Sequence, residues 1–183
     1  LPNNILEKYK LVLAGKIANS EKELIDIWIK NHNIDPSNVL ITGYISDEDL
    51  KLLYRSCSLF IFPSLHEGFG LPVLEAMCCG APVIGSNSTS IPEIIQIESA
   101  MFDPINIESI KQLIEKSLLD LKFRDKLREN SFIQSSKFSW SKSAEAALIA
   151  LEEIVQPQCI NYTLSWDSIQ ALNEEKFKLL ISK

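Results

Sequence analysis

Short, continuously apolar runs alternate with segments of helical periodicity through the first hundred residues of this 183-residue chain. Four of these runs predict strands: Lys10 to Gly15, Asn38 to Gly43, Ser58 to Pro63 and Ala81 to Gly85. Runs that are apolar without alternation are typical of strands buried on both faces, and parallel strands need crossover connections between them. The alternation therefore predicts an α/β fold with a Rossmann-like, doubly wound parallel sheet.

The segments between these strands carry helix start and stop signals. One helix is predicted over Glu21 to Asn33, with an apolar face made of Leu24, Ile25, Trp28 and Ile29. Ser46 with Asp49 three residues later is a capping signature, and it predicts a helix whose apolar stripe is Leu50, Leu53 and Tyr54. Pro72 and Gly80 mark the first residue and the terminator of a short helix through Cys79.

After residue 100 the pattern becomes helical. Helices are predicted from an Asn106 cap through Leu119, from there through about Phe138, and over Ser139 to Val155. Pro157 ends the last of these, and one more amphipathic helix is predicted with Ile169, Leu172, Phe177 and Leu180. We therefore predict one domain over residues 1–156 and a C-terminal helical appendage over residues 157–183.

Composition and charge argue against several classes of function. The net charge of −6 does not favour a surface that follows nucleic-acid phosphates. Apolar runs such as Leu59 to Phe62 are far too short to span a bilayer. The four cysteines form no CxxC pair and have no histidine at metal spacing; they are Cys57, Cys78, Cys79 and Cys159. The sequence predicts a reduced, cytoplasmic protein with no bound metal and no nucleic-acid partner.

One loop combines features of a ligand site. HEGFGL, residues 66–71, joins the carboxyl end of a predicted strand to the N-terminus of a predicted helix. Ligands gather at this edge of open α/β sheets, and free N–H groups with the helix dipole favour an anion there. Gly68 and Gly70 lack Cβ atoms, so the backbone can approach a ligand closely. The sequence predicts a phosphate, or the polar face of a group attached to one.

Two glutamates flank this predicted anion site. Glu67 lies in the loop, and Glu75 lies one turn into the helix. Carboxylates accept hydrogen bonds, so hydroxyl groups rather than phosphates are their natural partners. A nucleotide sugar has hydroxyls on either side of a diphosphate and would fit this arrangement. The alternative is that Glu67 is a solvated loop residue and Glu75 a charge favoured by the helix dipole.

The residues after the fourth strand, Ser86 to Ser90 (SNSTS), are a second candidate region because they also follow a strand at the ligand edge. Their alternative interpretation is a loop that only caps the next helix. Gly68-Phe69-Gly70 also begins a G-x-G-x-x-G match of dinucleotide-binding folds. The third glycine of that match would fall at Val73, and no acidic residue follows the next strand, so we reject an NAD-dependent dehydrogenase.

Several segments together resemble the large family 4 of retaining glycosyltransferases, which have the GT-B fold. They are KLVLAGK, VLITGYISDEDLKLLYRSCSLFIFPS, the Glu-x7-Glu signature EGFGLPVLE, GAPVIGSNSTSIPE and FSW near residue 140. The resemblance covers about residues 8–155 and implies the C-terminal, donor-binding half of a two-domain enzyme. Members transfer a sugar from a nucleotide diphosphate sugar with retained anomeric configuration, usually without a bound metal or other cofactor.

The resemblance also implies roles for particular residues. Glu75 would hold the ribose, and Glu67, the candidate catalytic residue, would address the donor sugar. The backbone of Gly68, Phe69, Gly70 and Leu71 would join Glu67 around the sugar and diphosphate. The turn made of Gly43, Tyr44 and Ile45 would contact the base. Gly15 and Lys16 lie at another strand end on the same edge, and Lys16 would reach phosphate or remain in solvent.

Two parts of the family's enzymes are expected to lie outside this chain. One is the first strand of the donor half, whose loop brings an arginine and a lysine to the diphosphate. The other is the N-terminal half that binds the acceptor, supplied in cis or in trans, through which peripheral contact with the inner face of a membrane would occur. The expected reaction is transfer of a hexose, from GDP-mannose or a UDP-sugar, to a glycan or lipid-linked acceptor. A non-catalytic nucleotide-binding subunit is the alternative.

Overall fold

The computed structural model describes residues 1–154 of the chain. Its strands are β1 (Leu11–Ala14), β2 (Val39–Gly43), β3 (Phe60–Phe62), β4 (Val83–Ser86) and β5 (Met101–Phe102). Its α-helices are α1 (Asn3–Leu6), α2 (Asn19–Asn31), α3 (Asp47–Ser56), α4 (Leu71–Cys78), α5 (Ile91–Ile95), α6 (Ile107–Leu119), α7 (Leu121–Ser135) and α8 (Trp140–Ile154). Short 3₁₀ helices span Pro36–Asn38 and Glu98–Ala100.

All paired strands of the described residues are parallel, as predicted. They form two sheets, a pair β1–β2 and a three-stranded sheet in the order β3–β4–β5. Within each sheet neighbouring strands follow chain order, β1 then β2 in one and β3, β4 and β5 in the other. The α/β fold class with parallel strands is confirmed, but the strands are divided between two sheets.

Side-chain caps set the beginnings of several helices. Ser46 Oγ accepts a hydrogen bond from the backbone N–H of Asp49 at 3.2 Å, which confirms the predicted start of α3. Asn106 Oδ1 accepts from the N–H of Ser109 at 3.1 Å and starts α6 as predicted. Asp120 caps α7 through the N–H of Phe123 at 3.0 Å. Each cap pairs a backbone donor that the first helical turn would otherwise leave without a partner.

The core surrounds β4, whose four residues are all buried. Helices α4, α5 and α7 pack there through the buried side chains Val73, Ala76, Met77, Ile91, Ile94, Ile95 and Leu127. Two buried polar groups of α7 bind the surrounding backbone. Asn130 Nδ2 donates to the carbonyl of Ile95 at 2.8 Å, and Ser131 Oγ donates to that of Ala81 at 2.7 Å.

The first sheet is not buried as the sequence predicts. Leu11 and Val12 of β1 are exposed, and none of the residues of α2 is buried. Trp28, placed on the predicted apolar face of α2, is 63% exposed. Among the described residues β1 pairs only with β2, so its apolar side chains lack the covering neighbours that a central strand would have. Cys78, whose apolar surroundings in the sequence are typical of a packing residue, is also exposed, at the end of α4.

The chain divides into two compact units, Leu1–Lys137 and Phe138–Lys183. In the second unit, α8 begins beside Ser139, whose Oγ accepts from the N–H of Lys142 at 3.1 Å, close to the predicted start. The predicted boundary at residues 156–157 and the predicted last helix lie outside the described residues. No helix within residues 1–154 is both long enough and apolar enough to cross a membrane.

Candidate functional site

The predicted strand–loop–helix unit is present and ends in a constrained turn. The loop leaves β3 after Phe62, and α4 begins at Leu71, one residue before the predicted Pro72. Gly70 is the N-cap, with a φ of +99°, a left-handed conformation that favours glycine. A Cβ at this position would lie 2.6 Å from Ile91 Cδ1. The backbone therefore needs glycine here for its conformation and for its close packing against α5.

Glu67 is held through its backbone by the loop between β4 and α5. Its N–H donates to Thr89 Oγ1 at 3.0 Å. Ser90 Oγ donates to the carbonyls of Glu67 at 3.2 Å and of Phe69 at 2.8 Å. The predicted second region, Ser86 to Ser90, thus contacts the first, and these side chains fix the loop that carries Gly68 and Phe69. Thr89 and Ser90 are the residues of that region that make the contact.

Glu75 is on an exposed turn of α4, and a tyrosine from α3 contacts it. Tyr54 Oη donates to Glu75 Oε2 at 3.3 Å, although Tyr54 is only 7% exposed. The Tyr54 ring packs edge-on against Phe60 of β3, with ring centroids 5.3 Å apart. Burial, followed by the charge and the hydrogen bond of Glu75, raises the pKa of Tyr54. One oxygen of the Glu75 carboxylate is therefore oriented by the protein, while the carboxylate retains further acceptor sites for a ligand.

This raised pKa predicts a loss of stability in alkali. Above about pH 10 the unfolded chain releases the phenolic proton, whereas folded Tyr54 keeps it, so the free energy of unfolding falls as pH rises toward the folded pKa. The slope contributed by one group is at most about 1.4 kcal/mol per pH unit. We expect Tyr54→Phe to remove this contribution in urea unfolding at pH 9–11. Tyr44→Phe, at a side chain that is 84% exposed, should follow the wild type; parallel curves for all three proteins would contradict the assignment.

The loops after β1 and β2 meet in a second group of predicted residues. Gly15 and Gly43 form an isolated antiparallel bridge, with φ angles of +130° and +68°. Thr42 Oγ1 accepts from the N–H of Gly15 at 3.3 Å. Of the neighbouring predicted residues, Tyr44 and Lys16 are exposed and Ile45 is half-buried. The two strand ends thus lie side by side, and the side chains of Lys16 and Tyr44 are accessible.

Around the turn into α4 the predicted site residues lie mostly on open surface, although Gly70 itself is buried. Gly68, Phe69, Leu71 and Glu75 are all exposed, whereas Glu67 is half-buried. Two concavities of the surface lie elsewhere, one lined by residues of α6 and α7 and the other by α2 and the turn after it. Within residues 1–154, no three His, Cys, Asp or Glu side chains are placed to hold a metal ion. The arrangement offers hydrogen-bond acceptors and backbone N–H groups to a polar ligand.

Sequence reasoning missed the partner of Glu75 and the detail of the contact with Glu67. Tyr54 was predicted only as part of an apolar stripe, and its hydroxyl was the signal that it also needs a polar partner. Thr89 was included in a candidate region without a role. Its φ of +49°, unusual for a β-branched residue, is visible only in the structure.

A family model described as "Glycosyl transferases group 1" matches residues 1–134. The chain belongs to this family. The architecture of this glycosyl transferase group 1 domain, with parallel strands and intervening helices, is that of the C-terminal domains of GT-B glycosyltransferases. The prediction of a glycosyltransferase domain of GT-B type is therefore confirmed.

Similar proteins place this group 1 domain among mannosyltransferase relatives. It is 43% identical over 156 residues to the serotype-specific mannosyltransferase WbdA of Escherichia coli, matching 85% of this chain and 19% of WbdA. It is 44% identical over 141 residues to the O-antigen chain mannosyltransferase B of Escherichia coli, matching 76% of this chain and 36% of that protein. The chain therefore spans about a fifth to a third of the length of these relatives.

A solved structure supports the fold. The crystal structure of Alr3699/HepE from Anabaena, in complex with UDP and glucose, superposes with a TM-score of 0.68 at 19% identity. The match covers 79% of this chain and 40% of the Anabaena protein. At this identity the likeness of the group 1 domain to the Anabaena protein concerns the fold.

Proposed function

We propose that this chain is the donor-binding domain of a retaining, family 4 glycosyltransferase that transfers a hexose from a nucleotide diphosphate sugar. The observation that carries the proposal is the placing of Glu67 and Glu75 on either side of the turn into α4, with Glu75 oriented by Tyr54. The Glu-x7-Glu spacing of EGFGLPVLE is the signature of that family in the resemblance described above.

In this proposal the loop and α4 bind the donor in order along its length. Glu75 accepts hydrogen bonds from the ribose hydroxyls, and the N–H groups near Gly70 and Leu71 face the diphosphate. Glu67 positions the sugar as the anomeric bond breaks. Negative charge that develops on the leaving diphosphate is stabilised by the positive end of the α4 dipole and by these backbone donors.

The donor is proposed to be GDP-mannose, with a UDP-sugar as the second choice. GDP-mannose is placed first because the similar Escherichia coli proteins are mannosyltransferases. A UDP-sugar is kept as the second choice because the similar Anabaena structure is a complex with UDP. The turn at Gly43, Tyr44 and Ile45 is the proposed base contact, and exposed Lys16 is proposed to approach phosphate. The proposed acceptor is a glycan or a lipid-linked glycan, and the proposed location is the cytoplasm, at the inner face of the membrane.

Completion of the site by further protein is part of the same proposal. The matches cover only 19% and 36% of the length of these relatives, and the family resemblance implies a strand before Lys10 and an acceptor half before that. A strand that paired with β1 and β3 would join the two sheets and cover exposed Leu11 and Val12. Its loop would bring positive charge to the diphosphate. The acceptor half, in cis or in trans, would form the opposite wall of the open surface.

Calorimetric titration with UDP, GDP and ADP tests the proposal, comparing the wild type with Glu75→Ala. A hydrogen bond to a charged group contributes roughly 1.5–3 kcal/mol, so we expect the substitution to weaken binding of the preferred nucleotide about tenfold or more. Glu129→Ala, which removes an exposed carboxylate from α7, should leave the affinity unchanged. Equal losses in both variants, or none in Glu75→Ala, would contradict the proposed ribose contact.

A further inference from the structure

The β4–α5 loop makes hydrogen bonds that its own helix does not need. Ser90 is the N-cap of α5, but its side chain makes no capping hydrogen bond. Its hydroxyl is directed instead at the carbonyls of Glu67 and Phe69, and the shorter of these contacts is 2.8 Å, to Phe69. A serine at an N-cap usually accepts from the N–H of the first helical turn. The helix-capping interpretation of this loop is therefore insufficient.

Thr89 completes the contact from the neighbouring position. Its Oγ1 accepts from the N–H of Glu67 at 3.0 Å, so Thr89 and Ser90 between them bind both the N–H and the carbonyl of Glu67. Thr89 adopts a φ of +49°, which is an outlier for a β-branched side chain. Strained backbone of this kind persists where the surrounding structure over-determines it, and it clusters at ligand sites.

Rigid neighbours support this loop. On one side, Ser86 of β4 is buried, and the N–H of Asn87 donates to the carbonyl of Phe102 at 2.9 Å. On the other side, Ile91 is fully buried, and its N–H donates to the carbonyl of Ser88 at 3.3 Å. Buried Ser86 and Ile91 thus anchor both ends of the segment that carries the hydroxyl groups of Thr89 and Ser90.

We propose that Thr89 and Ser90 are positioning residues that hold the backbone of Glu67 to Gly70 in the conformation that receives the donor. The two residues are called the loop clamp below. The inference rests on the proposed function and adds to it an explanation of how the Glu67 side chain is oriented. Because the direction of a side chain follows from its own backbone, fixing the N–H and carbonyl of Glu67 also restricts where its carboxylate can point. An ordered loop would also pay less conformational entropy when the donor binds.

Thr89→Val tests the clamp, since it keeps a branched side chain but removes the acceptor. The first measurement is amide hydrogen exchange by NMR on the unliganded 183-residue chain. We expect exchange at the Glu67 N–H to become about tenfold faster, as the loss of one hydrogen bond implies, with α4 and α5 unchanged. Thr89→Ser, which restores a hydroxyl, should return the rate close to that of the wild type. A purely structural role would instead speed exchange throughout both helices and would lower the thermal midpoint.

The second measurement is calorimetric affinity for GDP-mannose and UDP-glucose. We expect Thr89→Val and Ser90→Ala each to weaken binding about three- to tenfold, which is the effect of one lost hydrogen bond. Ser135→Ala, at a half-buried serine at the end of α7, is the matched control and should bind like the wild type. Unchanged exchange at Glu67 in Thr89→Val would overturn the clamp. Faster exchange with unchanged affinity would overturn its role in donor binding.

The two measurements distinguish a failure of the clamp inference from a failure of the proposed function on which it rests. If the wild type binds neither nucleotide sugar nor free nucleotide, donor binding by this chain is overturned, together with the positioning role for the donor. The exchange rates at Glu67 would still confirm or refute the clamp itself, because they need no ligand. If the wild type binds and the clamp variants bind equally well, the proposed function stands and the clamp's role in donor binding is overturned.

Discussion

Replacing Gly70 by alanine is expected to destabilise the first compact unit by about 2–5 kcal/mol and to abolish measurable nucleotide binding. At its φ of +99° an L-residue costs about 1–2 kcal/mol, and the new Cβ would lie 2.6 Å from Ile91 Cδ1. Ile91 is fully buried, so moving it overpacks the core at a cost of about 1–3 kcal/mol. The backbone displacement would also misplace the N-terminus of α4. Urea unfolding and calorimetry measure the two effects.

Gly68 provides the matched control two residues away in the same loop. No heavy atom lies within 4 Å of the position of its Cβ, so Gly68→Ala should change the free energy of unfolding by no more than about 0.5 kcal/mol. A loss of affinity in this variant at unchanged stability would indicate that the ligand approaches the Gly68 backbone closely. If Gly70→Ala proved as stable as Gly68→Ala, the left-handed turn and its packing against Ile91 would not be needed for the fold.

The parts of the fold that depend on local chemistry were predictable from the sequence. Ser46 and Asn106 start α3 and α6 because their side chains bind N–H groups only three residues away. Pro72 in the first turn and Gly80 after the last turn bracket α4 for equally local reasons. The strand–loop–helix unit that carries Glu67 and Glu75 was therefore recognisable without a structure.

The contacts that aim these glutamates were not predictable, because they join distant segments. Tyr54 and Glu75 are 21 positions apart, and Glu67 and Thr89 are 22 apart. No periodicity or spacing rule connects such pairs; their meeting depends on how α3, α4 and α5 pack. The predicted burial of β1 was wrong for a related reason, since Leu11 reads as a core residue but the described chain supplies no strand on its other side.

Strand β5 was missed because two residues are too few to show a pattern, yet its Phe102 is expected to be among the most sensitive positions of the chain. Phe102 is 2% exposed and pairs with Ser86 in the β4–β5 register. Truncating a buried phenylalanine to alanine costs about 3–5 kcal/mol through lost burial and the cavity left behind. We expect a loss of this size for Phe102→Ala in urea unfolding.

Phe132→Ala removes the same atoms from a side chain of α7 that is 61% exposed, and it should cost less than about 1 kcal/mol.

The comparison of Phe102→Ala with Phe132→Ala also tests whether β5 holds the loop that contacts Glu67. The Phe102 carbonyl accepts from the N–H of Asn87, which begins the loop that presents Thr89 and Ser90 to Glu67. Loosening β5 should therefore speed amide exchange at Glu67 under native conditions, while Phe132→Ala should not. Equal stability of the two variants would show that β5 is dispensable to the core, and unchanged exchange at Glu67 in Phe102→Ala would show that the loop is ordered independently of it.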